Sequence, residues 1–267
     1  MSVGYLANSF DMINVRDLDL IAQARSRCSR LLVGVFTDDY IEQLFGRRPV
    51  VSLDERIPVV RHIGGVAGVF QHDSGLVDHG PPGGASVMFV EVGTPVTPRE
   101  NLHWLTPRTH AGVGSASPAV GRTGSRDRRP DGAVGYVPGA WDMFHVGHLN
   151  ILSRAREHCD RLVVGVVTDE ALYQVKGKYP VIPLAERMEV VANLTNVDEV
   201  VVDRSGDKLA VWQEVGFDVV FKGDDWRGTP KGDKLEADMA SVGVTVCYFP
   251  YTTDTSSSLR RAQLSAR

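Results

Sequence analysis

Apolar runs alternate with amphipathic stretches through the second half of the chain. The runs "GAVGYVP" (132–138), "RLVVGVVTD" (161–169) and "VTVCYFP" (244–250) have the continuous apolar character of strands that are buried on both faces. The stretch "VGHLNILSRAREHC" (146–159) instead places apolar residues at the three- and four-residue spacing of an amphipathic helix. Strands that alternate with helices predict a doubly wound α/β fold, in which helices cover both faces of a parallel sheet.

The same alternation continues to the end of the sequence. Further strands are predicted at 198–203 and 217–226, and further helices at 184–194, 208–216, 234–243 and 256–264. The stretch "QVKGKYP" (174–180), with its central glycine, is predicted as a loop.

The front of the chain repeats this pattern. Sliding the sequence by 131 positions aligns Val3–Arg61 with Val134–Ala192 without a gap, and 26 of the 59 aligned pairs are identical. Agreement of this kind predicts the same strand–helix–strand scaffold in both places. We therefore expect two copies of one fold.

The correspondence fades beyond about residue 75. The segment 76–131 contains one predicted strand, at 87–92, and its end (112–132) has the Gly-, Ser- and Arg-rich composition of a flexible linker. The sequence thus predicts a degenerate and truncated copy at 1–75, an irregular segment and linker at 76–131, and a complete copy at 132–267.

Composition excludes several classes of protein. A chain of 267 residues, 43% of them hydrophobic, can bury one large or two small cores. A net charge of -4 and a pI near 6.1 argue against nucleic-acid binding by bulk charge. Three scattered cysteines form no disulfide framework, and the sequence shows neither a signal peptide nor a long apolar run. We expect a cytoplasmic protein without a membrane span and without a nucleic-acid partner.

The segment "GAWDMFHVGHLN" (139–150) places two histidines at the start of a predicted helix. His145 and His148 are three residues apart, so both rings face the same way, and Gly147 between them lets a bulky group approach the backbone. The free N–H groups and the positive dipole end of a helix start favour a bound phosphate. No Cys or Glu at suitable spacing completes a metal site, so we expect no metal ligands here.

Three other stretches follow predicted strands, at the sheet edge where α/β proteins bind ligands. They are the lysine-rich "QVKGKYP", "FKGDDW" (221–226), and "YTTDTSSSLRR" (251–261), whose serines suit a helix start. Two phosphate-binding helix starts and a lysine-rich loop indicate a nucleoside triphosphate. A dinucleotide site is disfavoured because no GxGxxG follows the strand at 132–138.

Together, "GAWDMFHVGH", "KGKYPVIPLAER", "NVDEVV", "FKGDDW" and "TDTSSS" resemble the HxGH nucleotidyltransferases, and among them the cytidylyltransferases. Within that family, the residues 133–262 look most like the glycerol-3-phosphate cytidylyltransferases. The resemblance implies a Rossmann-like catalytic domain that transfers CMP from CTP to a small phospho-alcohol, with Mg²⁺ accompanying the nucleotide. Because the family usually forms dimers, it also implies an intrachain pseudo-dimer or a homodimer.

The resemblance also implies roles for individual residues. The catalytic residues would be His145, His148 and Lys176, the histidines donating hydrogen bonds to the triphosphate. The nucleotide-binding residues would be Ala140, Trp141, Gly147, Lys178, Gly223, Asp224, Asp225, Tyr251, Thr252, Ser256, Ser257 and Ser258. The acceptor-binding residues would be Lys176, Arg187, Lys208 and Trp226. For Arg187, a position near the acceptor phosphate and a role as a helix anchor are equally favoured.

Two departures from the family pattern concern the acceptor. Tyr251 and Thr195 stand where the family has arginines, and Lys208 and Arg227 are candidate substitutes. The stretches "KGKYPVIPLAERM" and "VVFKGDD" also resemble the heptose-phosphate adenylyltransferases, so an enzyme that uses ATP and a sugar phosphate is an alternative. A non-catalytic, nucleotide-binding regulatory protein is another alternative, because the first copy has Asn14, Arg16 and Asp17 in place of the two histidines and their glycine.

Overall fold

The computed structural model describes residues 2–73, 82–98, 100–108, 132–204, 206–250, 260–262 and 264. The chain divides into two compact units, Met1–Gly114 with Arg260–Arg267, and Ser115–Leu259. Each unit holds one five-stranded sheet in which neighbouring strands run parallel. The predicted doubly wound α/β fold in two copies is therefore confirmed.

The first unit has the strand order β3-β2-β1-β4-β5. Its strands are β1 (Val3–Asn8), β2 (Arg30–Phe36), β3 (Val66–His72), β4 (Val87–Glu91) and β5 (Leu102–Leu105). Its described helices are α1 (Val15–Arg25), α2 (Asp38–Phe45) and α3 (Leu53–Arg61). A buried apolar cluster around Tyr5, Leu32 and Phe36 lies against this sheet.

The second unit has the strand order β10-β9-β6-β7-β8. Its strands are β6 (Val134–Gly139), β7 (Arg161–Val167), β8 (Glu199–Asp203), β9 (Val219–Gly223) and β10 (Thr245–Phe249). Its described helices are α4 (Val146–Arg156), α5 (Asp169–Lys176), α6 (Leu184–Ala192), α7 (Lys208–Val215) and α8 (Pro230–Ala240), with a 3₁₀ turn at Asp224–Trp226. Read from the other edge of the sheet, this order is β8-β7-β6-β9-β10. It is the order of the first unit with each strand replaced by its counterpart in the second copy.

The first copy keeps all five strands of the sheet, so the prediction of a truncated copy is wrong for the sheet. β4 and β5 lie within the segment that the sequence analysis treated as irregular, and they pair with β1 and with each other. The pattern was missed because β5 has four residues and lies among Gly- and Pro-rich stretches. The first unit also includes Arg260, whose guanidinium donates to the Val50 carbonyl (2.9 Å) and to Glu55, although the sequence analysis placed this residue in the second copy.

The stretch that ends at Lys176 is helical, although a loop was predicted for residues 174–180. α5 begins after Thr168, whose hydroxyl accepts a hydrogen bond from the Ala171 N–H (3.2 Å), and it ends at Lys176. Gly177 then adopts a left-handed conformation (φ 66°), which glycine enters without steric cost. The capping threonine, two acidic residues in the first turn and the terminal glycine were the sequence signals of this helix.

Helix α8 and strand β9 also differ from their predicted ends. α8 begins at Pro230 rather than at residue 234, because Thr229 caps it and a proline suits the first helical position. β9 ends at Gly223, and the residues that follow form the 3₁₀ turn. None of the helices that the structure describes combines the length and apolar content that a membrane span requires.

Candidate active site

A strained turn leads from β6 into α4. Trp141 (φ 56°) and Met143 (φ 49°) both adopt the left-handed conformation, which is costly for residues with a side chain. The carboxylate of Asp142 holds the turn by accepting hydrogen bonds from the backbone N–H groups of Val181 (3.1 and 3.0 Å) and Ile182 (2.9 Å). This turn fixes the start of α4 and therefore the direction of its first side chains.

The first copy builds the same turn. Phe10 (φ 50°) and Met12 (φ 57°) are left-handed, and the Asp11 carboxylate accepts from the N–H groups of Val50 and Val51 (2.9 Å each). Because this geometry persists in a copy without the histidines, the turn belongs to the scaffold of the fold rather than to its chemistry.

The two histidines stack on each other at the start of α4. His145 occupies the N-cap position, His148 is the third helical residue, and their ring centroids lie 3.8 Å apart. The rings of Trp141 (5.2 Å) and Phe144 (5.4 Å) flank His148. The indole N–H of Trp141 donates to the Gly165 carbonyl (2.9 Å). This hydrogen bond holds the Trp141 ring in its position next to His148.

The surroundings of His148 keep its ring neutral. Burial lowers its pKa well below the ordinary value, and the nearby His145 and Lys176 lower it further. Within the described part of the chain, its Nδ1 atom is buried and has no hydrogen-bond partner. A neutral imidazole donates one hydrogen bond and accepts another, which suits contact with a phosphate oxygen.

Polar side chains occupy the corresponding place in the first copy. Asn14 accepts from the Arg16 N–H (2.9 Å), and the Asp17 carboxylate accepts from the Asn14 N–H (3.1 Å), so the two form a capping box on α1. The side chain of Asn8 donates to Asp17 (3.3 Å), and the Arg16 guanidinium pairs with Glu91 (2.7 Å). This helix start is satisfied by its own residues.

The sheet register shows what replaces these side chains in the second copy. β1 pairs Gly4 with Val87, and β6 pairs the corresponding residue, Gly135, with Val219. Val87 in the first copy therefore corresponds to Val219 in the second. Four residues further along each strand, Glu91 corresponds to Gly223. In the same alignment, Asn8 corresponds to Gly139 and Arg16 to Gly147. Three positions that hold polar side chains in the first copy thus carry no side chain in the second. The second copy therefore lacks the polar contacts that close this helix start in the first copy, and beside Gly139 the Trp141 ring takes up the space of a side chain.

Asp17 gives the first copy a pH dependence that can be tested. Burial raises its pKa to about 7, so the folded chain holds a proton between about pH 4 and 7 that the unfolded chain releases. Its contribution to stability is therefore present at low pH and is lost as the pH rises toward 7. We expect Asp17→Asn to narrow the difference in unfolding free energy between pH 5 and pH 8, measured by urea denaturation. An unchanged difference would contradict the protonation of Asp17.

The structure brings Lys176 close to the histidines. Its charge lowers the pKa of His148, and its side chain projects from the last residue of α5. Lys178 follows on the exposed stretch beyond Gly177. In the first copy, Phe45 and Arg47 stand at these two positions, so the loss of the histidines coincides with the loss of the Lys176 charge.

Arg187 is buried inside the scaffold. Its side chain is fully inaccessible, and its guanidinium donates to carbonyl oxygens and to one carboxylate. The acceptors are Ile182 O (2.9 Å), Val167 O (2.9 Å), Ala140 O and Asp169 Oδ1 (2.5 Å). These contacts are those of a helix anchor, the second of the two roles considered for this residue.

Arg56 repeats these contacts in the first copy. It donates to Val51 O (2.8 Å), Phe36 O (2.8 Å), Ser9 O (2.5 Å) and the Asp38 carboxylate (2.5 Å). A residue that keeps its partners in the copy without the histidines serves the fold. Arg187 also accounts for the half-buried Ala140, whose carbonyl it holds.

The remaining predicted residues lie at the ends of β8 and β9. Lys208 is nearly buried and donates to the Asp203 carboxylate and to the Gly206 carbonyl (3.0 Å). Asp224 and Asp225 are exposed on the 3₁₀ turn after Gly223, and Trp226 is half-buried. The predicted nucleotide-binding residues Tyr251, Thr252, Ser256, Ser257 and Ser258 lie outside the described residues.

Lys222 is a candidate that the sequence analysis missed. It lies in β9 directly before Gly223, and its ammonium is 4.0 Å from the centre of the Trp226 ring. The signal was a lysine that interrupts the apolar run "VVFKG" at the carboxyl end of a strand. Among the described residues, no group of three His, Cys, Asp or Glu side chains is arranged to hold a metal ion.

Known proteins resemble part of this chain. A family model described as cytidylyltransferase-like matches residues 136–263. The bifunctional protein HldE of Acidiphilium cryptum (strain JF-5) is 37% identical over 109 residues, which cover 40% of this chain and 22% of that protein. Ethanolamine-phosphate cytidylyltransferase of Arabidopsis thaliana is 42% identical over 102 residues, 36% of this chain and 24% of that protein. These matches span about a quarter or less of the length of either relative.

A solved structure also matches part of the chain. The lipopolysaccharide core biosynthesis protein from Thermoplasma volcanium GSS1 is 24% identical, with a TM-score of 0.40, over 46% of this chain and 98% of that one. The family model covers the histidine pair and the second sheet from the third residue of β6 onward, and the resemblance drawn from the motifs is thereby confirmed. Residues 136–263, just under half of this chain, are similar to the cytidylyltransferase-like family.

Proposed function

We propose that the second copy is a cytidylyltransferase that transfers CMP from CTP to the phosphate of a small phospho-alcohol, with glycerol 3-phosphate as the leading acceptor. One observation carries this proposal. The stacked pair of His145 and His148 adjoins a place where Gly139, Gly147 and Gly223 replace the polar side chains that fill the first copy. A helix start that lacks these polar side chains and carries the neutral His148 ring suits a triphosphate.

The reaction is a single in-line displacement. A phosphate oxygen of the acceptor attacks the α-phosphorus of CTP, a new P–O bond forms, and the bond to the β-phosphate breaks with its electron pair leaving on pyrophosphate. The neutral His148 ring donates a hydrogen bond to the triphosphate as negative charge grows in the transition state. Lys176, whose charge lowers the pKa of His148, reduces the repulsion between the two anionic substrates.

Mg²⁺ fits this scheme as a companion of the nucleotide. Because the described residues hold no cluster of three metal-binding side chains, the phosphate oxygens would supply most of its ligands, with Asp224 and Asp225 as nearby carboxylates. When bound, Mg²⁺ would neutralise charge on the triphosphate.

The choice of CTP rests on the family match and on the Arabidopsis relative, which is named a cytidylyltransferase. A second candidate is adenylyl transfer from ATP to a sugar phosphate, favoured by the likeness of "KGKYPVIPLAERM" and "VVFKGDD" to the heptose-phosphate adenylyltransferases. The two candidates share the chemistry of the histidines and differ in the base and the acceptor.

Pyrophosphate release tests both candidates. We expect the purified chain with Mg²⁺ to release pyrophosphate when CTP and glycerol 3-phosphate are both present, and not when either is absent. The screen crosses four nucleoside triphosphates with glycerol 3-phosphate, phosphocholine, phosphoethanolamine and sugar phosphates. Release with ATP and a sugar phosphate alone would select the second candidate. Tight binding of CTP without release in any combination would instead indicate a regulatory nucleotide-binding protein.

For the first copy we propose a structural role. It keeps the strained turn, the Asp11 contacts and the Arg56 anchor, while its helix start is closed by Asn14, Asp17 and the Arg16–Glu91 pair. A domain that preserves the scaffold without the chemistry suits the place of the partner in a pseudo-dimer.

A further inference from the structure

Two exposed tyrosines stack on each other across the lysine-bearing loop that follows α5. Tyr173 lies in α5 and Tyr179 lies beyond its end, and their ring centroids are 4.6 Å apart with an interplanar angle of 22°. Aromatic pairs favour an offset stack at this separation. The side chains are 47% and 56% exposed, so burial in a core does not account for the contact. We call this pair the tyrosine clip.

The clip closes a short loop that the backbone already fixes at both ends. At the front, the Gly177 N–H donates to the Tyr173 carbonyl (2.8 Å). At the back, the Asp142 carboxylate accepts from the Val181 N–H. Lys178 lies between these two anchors with an exposed side chain. Because the clip ties the middle of the loop to the helix, it limits how far this lysine can move.

The first copy spans the same loop with an ion pair. The sequence repeat places Glu42 and Arg48 at the positions of the two tyrosines, and the Arg48 guanidinium donates to Glu42 at 2.8 Å. Gly46 follows α2 in the left-handed conformation (φ 69°), as Gly177 (φ 66°) follows α5. Two different kinds of side-chain contact therefore hold the same loop. The contact across the loop is kept, and only its chemistry differs between the copies.

The charge of the first-copy pair explains why it would not suit the second copy. A glutamate in place of Tyr173 would lie three residues before Lys176 on α5, and an acid and a base at this spacing attract each other. In the first copy, the residue three positions after Glu42 is Phe45, which has no charge. An aromatic stack holds the loop and adds no acid beside Lys176.

We propose that the tyrosine clip holds Lys176 and Lys178 in place for the phosphate groups of the substrates, without adding a charge that competes for the lysines. This assignment rests on the proposed function, in which the lysine charge meets two anionic substrates. Tyr173 and Tyr179 act through the lysines and are positioning residues. A loop that is ordered before the substrates arrive loses less conformational entropy on binding, so the clip acts on kcat/KM.

Tyr179→Ala removes the stack and leaves both lysines. We expect residues 174–181 to exchange their amide hydrogens faster, measured by mass spectrometry on the full chain. The kcat/KM for pyrophosphate release should fall by roughly 3- to 10-fold, as expected for the loss of one aromatic pair. Tyr179→Phe keeps a stacking ring, so both measurements should stay within about twofold of the unchanged chain. Circular dichroism should show both variants folded, because the replaced side chain is exposed.

The first copy supplies a matched control and a graft. Arg48→Ala breaks the first-copy ion pair and should leave kcat/KM within about twofold. The double variant Tyr173→Glu with Tyr179→Arg transfers that ion pair to the second copy. It should keep slow exchange in residues 174–181 and still lower kcat/KM, because the added carboxylate attracts Lys176. Relative to the unchanged chain at the same ionic strength, this loss should shrink as salt screens the attraction.

Three results would overturn the proposal. They are unchanged exchange of residues 174–181 in Tyr179→Ala, faster exchange with an unchanged kcat/KM, and equal losses of kcat/KM in Tyr179→Phe and Tyr179→Ala. Full activity of the double variant would also refute it, because the added charge would then not compete for the lysines. If the unchanged chain releases no pyrophosphate with any pair in the screen, the proposed function fails, and hydrogen exchange still decides whether the clip orders the loop.

Discussion

Replacing His148 by Ala is expected to lower kcat by a factor of about 100 or more, as removal of one preorganised donor to a developing negative charge does. The ring is held by His145, Trp141 and Phe144, so its hydrogen bond is aimed before the substrates bind. Because its low pKa keeps the ring neutral, the loss should be similar at pH 7 and pH 8. Steady-state pyrophosphate release with saturating CTP and acceptor measures the effect.

The first copy supplies a matched control for this variant. Asp17 occupies the position equivalent to His148, and Asp17→Ala is expected to leave kcat within threefold of the unchanged chain. A loss of less than threefold in His148→Ala would reject the role assigned to this histidine. Equal losses in both variants would point instead to a general effect on folding, which a comparison of their circular dichroism spectra would reveal.

Replacing Arg187 by Ala should lower the free energy of unfolding by about 3–5 kcal/mol, the cost of breaking a buried ion pair from one side. The change leaves Asp169 without its guanidinium partner and removes the donors for the carbonyls of Ala140, Val167 and Ile182. Activity should fall as well, because the Ala140 carbonyl lies in the turn that aims the histidines. Urea denaturation followed by circular dichroism gives the stability.

Arg56→Ala is the companion experiment in the first copy. Since Arg56 makes the same set of contacts, we expect a loss of similar size in the first unit, without a direct effect on the histidine turn. Arg187→Lys should not restore stability, because one ammonium lacks the planar arrangement of donors that reaches several acceptors at once. A loss below 1 kcal/mol in Arg187→Ala would contradict the anchoring role.

The sequence predicted the parallel sheet and the histidine pair because both leave strong local patterns. Apolar runs mark the buried strands. The internal repeat distinguishes the scaffold residue Asp142, which both copies share, from His148, which only the second copy has. The short strand β5 and helix α5 were missed for a different reason. β5 has four residues, and α5 is held by its caps rather than by a long apolar face.

The contacts of Arg187, Lys208 and Lys222 required the structure. A sequence shows that an arginine precedes an apolar stretch, but whether its guanidinium reaches solvent or four interior acceptors depends on packing between α6, β7 and the turn after β6. Lys222 is similar, since its contacts with Pro138 and Trp226 come from a neighbouring strand and from the turn that follows its own strand.

The Arg16–Glu91 pair has a further thermodynamic meaning. A protein that binds a ligand only in its folded state gains RT ln(1 + L/Kd) of stability, where L is the free ligand concentration, so the gain grows with the logarithm of this concentration once it exceeds Kd. In the first copy, Arg16, Asp17, Asn8 and Glu91 already make the contacts that a ligand would supply at a helix start, so the polar groups there are satisfied at every nucleotide concentration. The first copy behaves as if it were permanently liganded, whereas a second copy that binds a nucleotide, as proposed above, would gain stability as the nucleotide concentration rises.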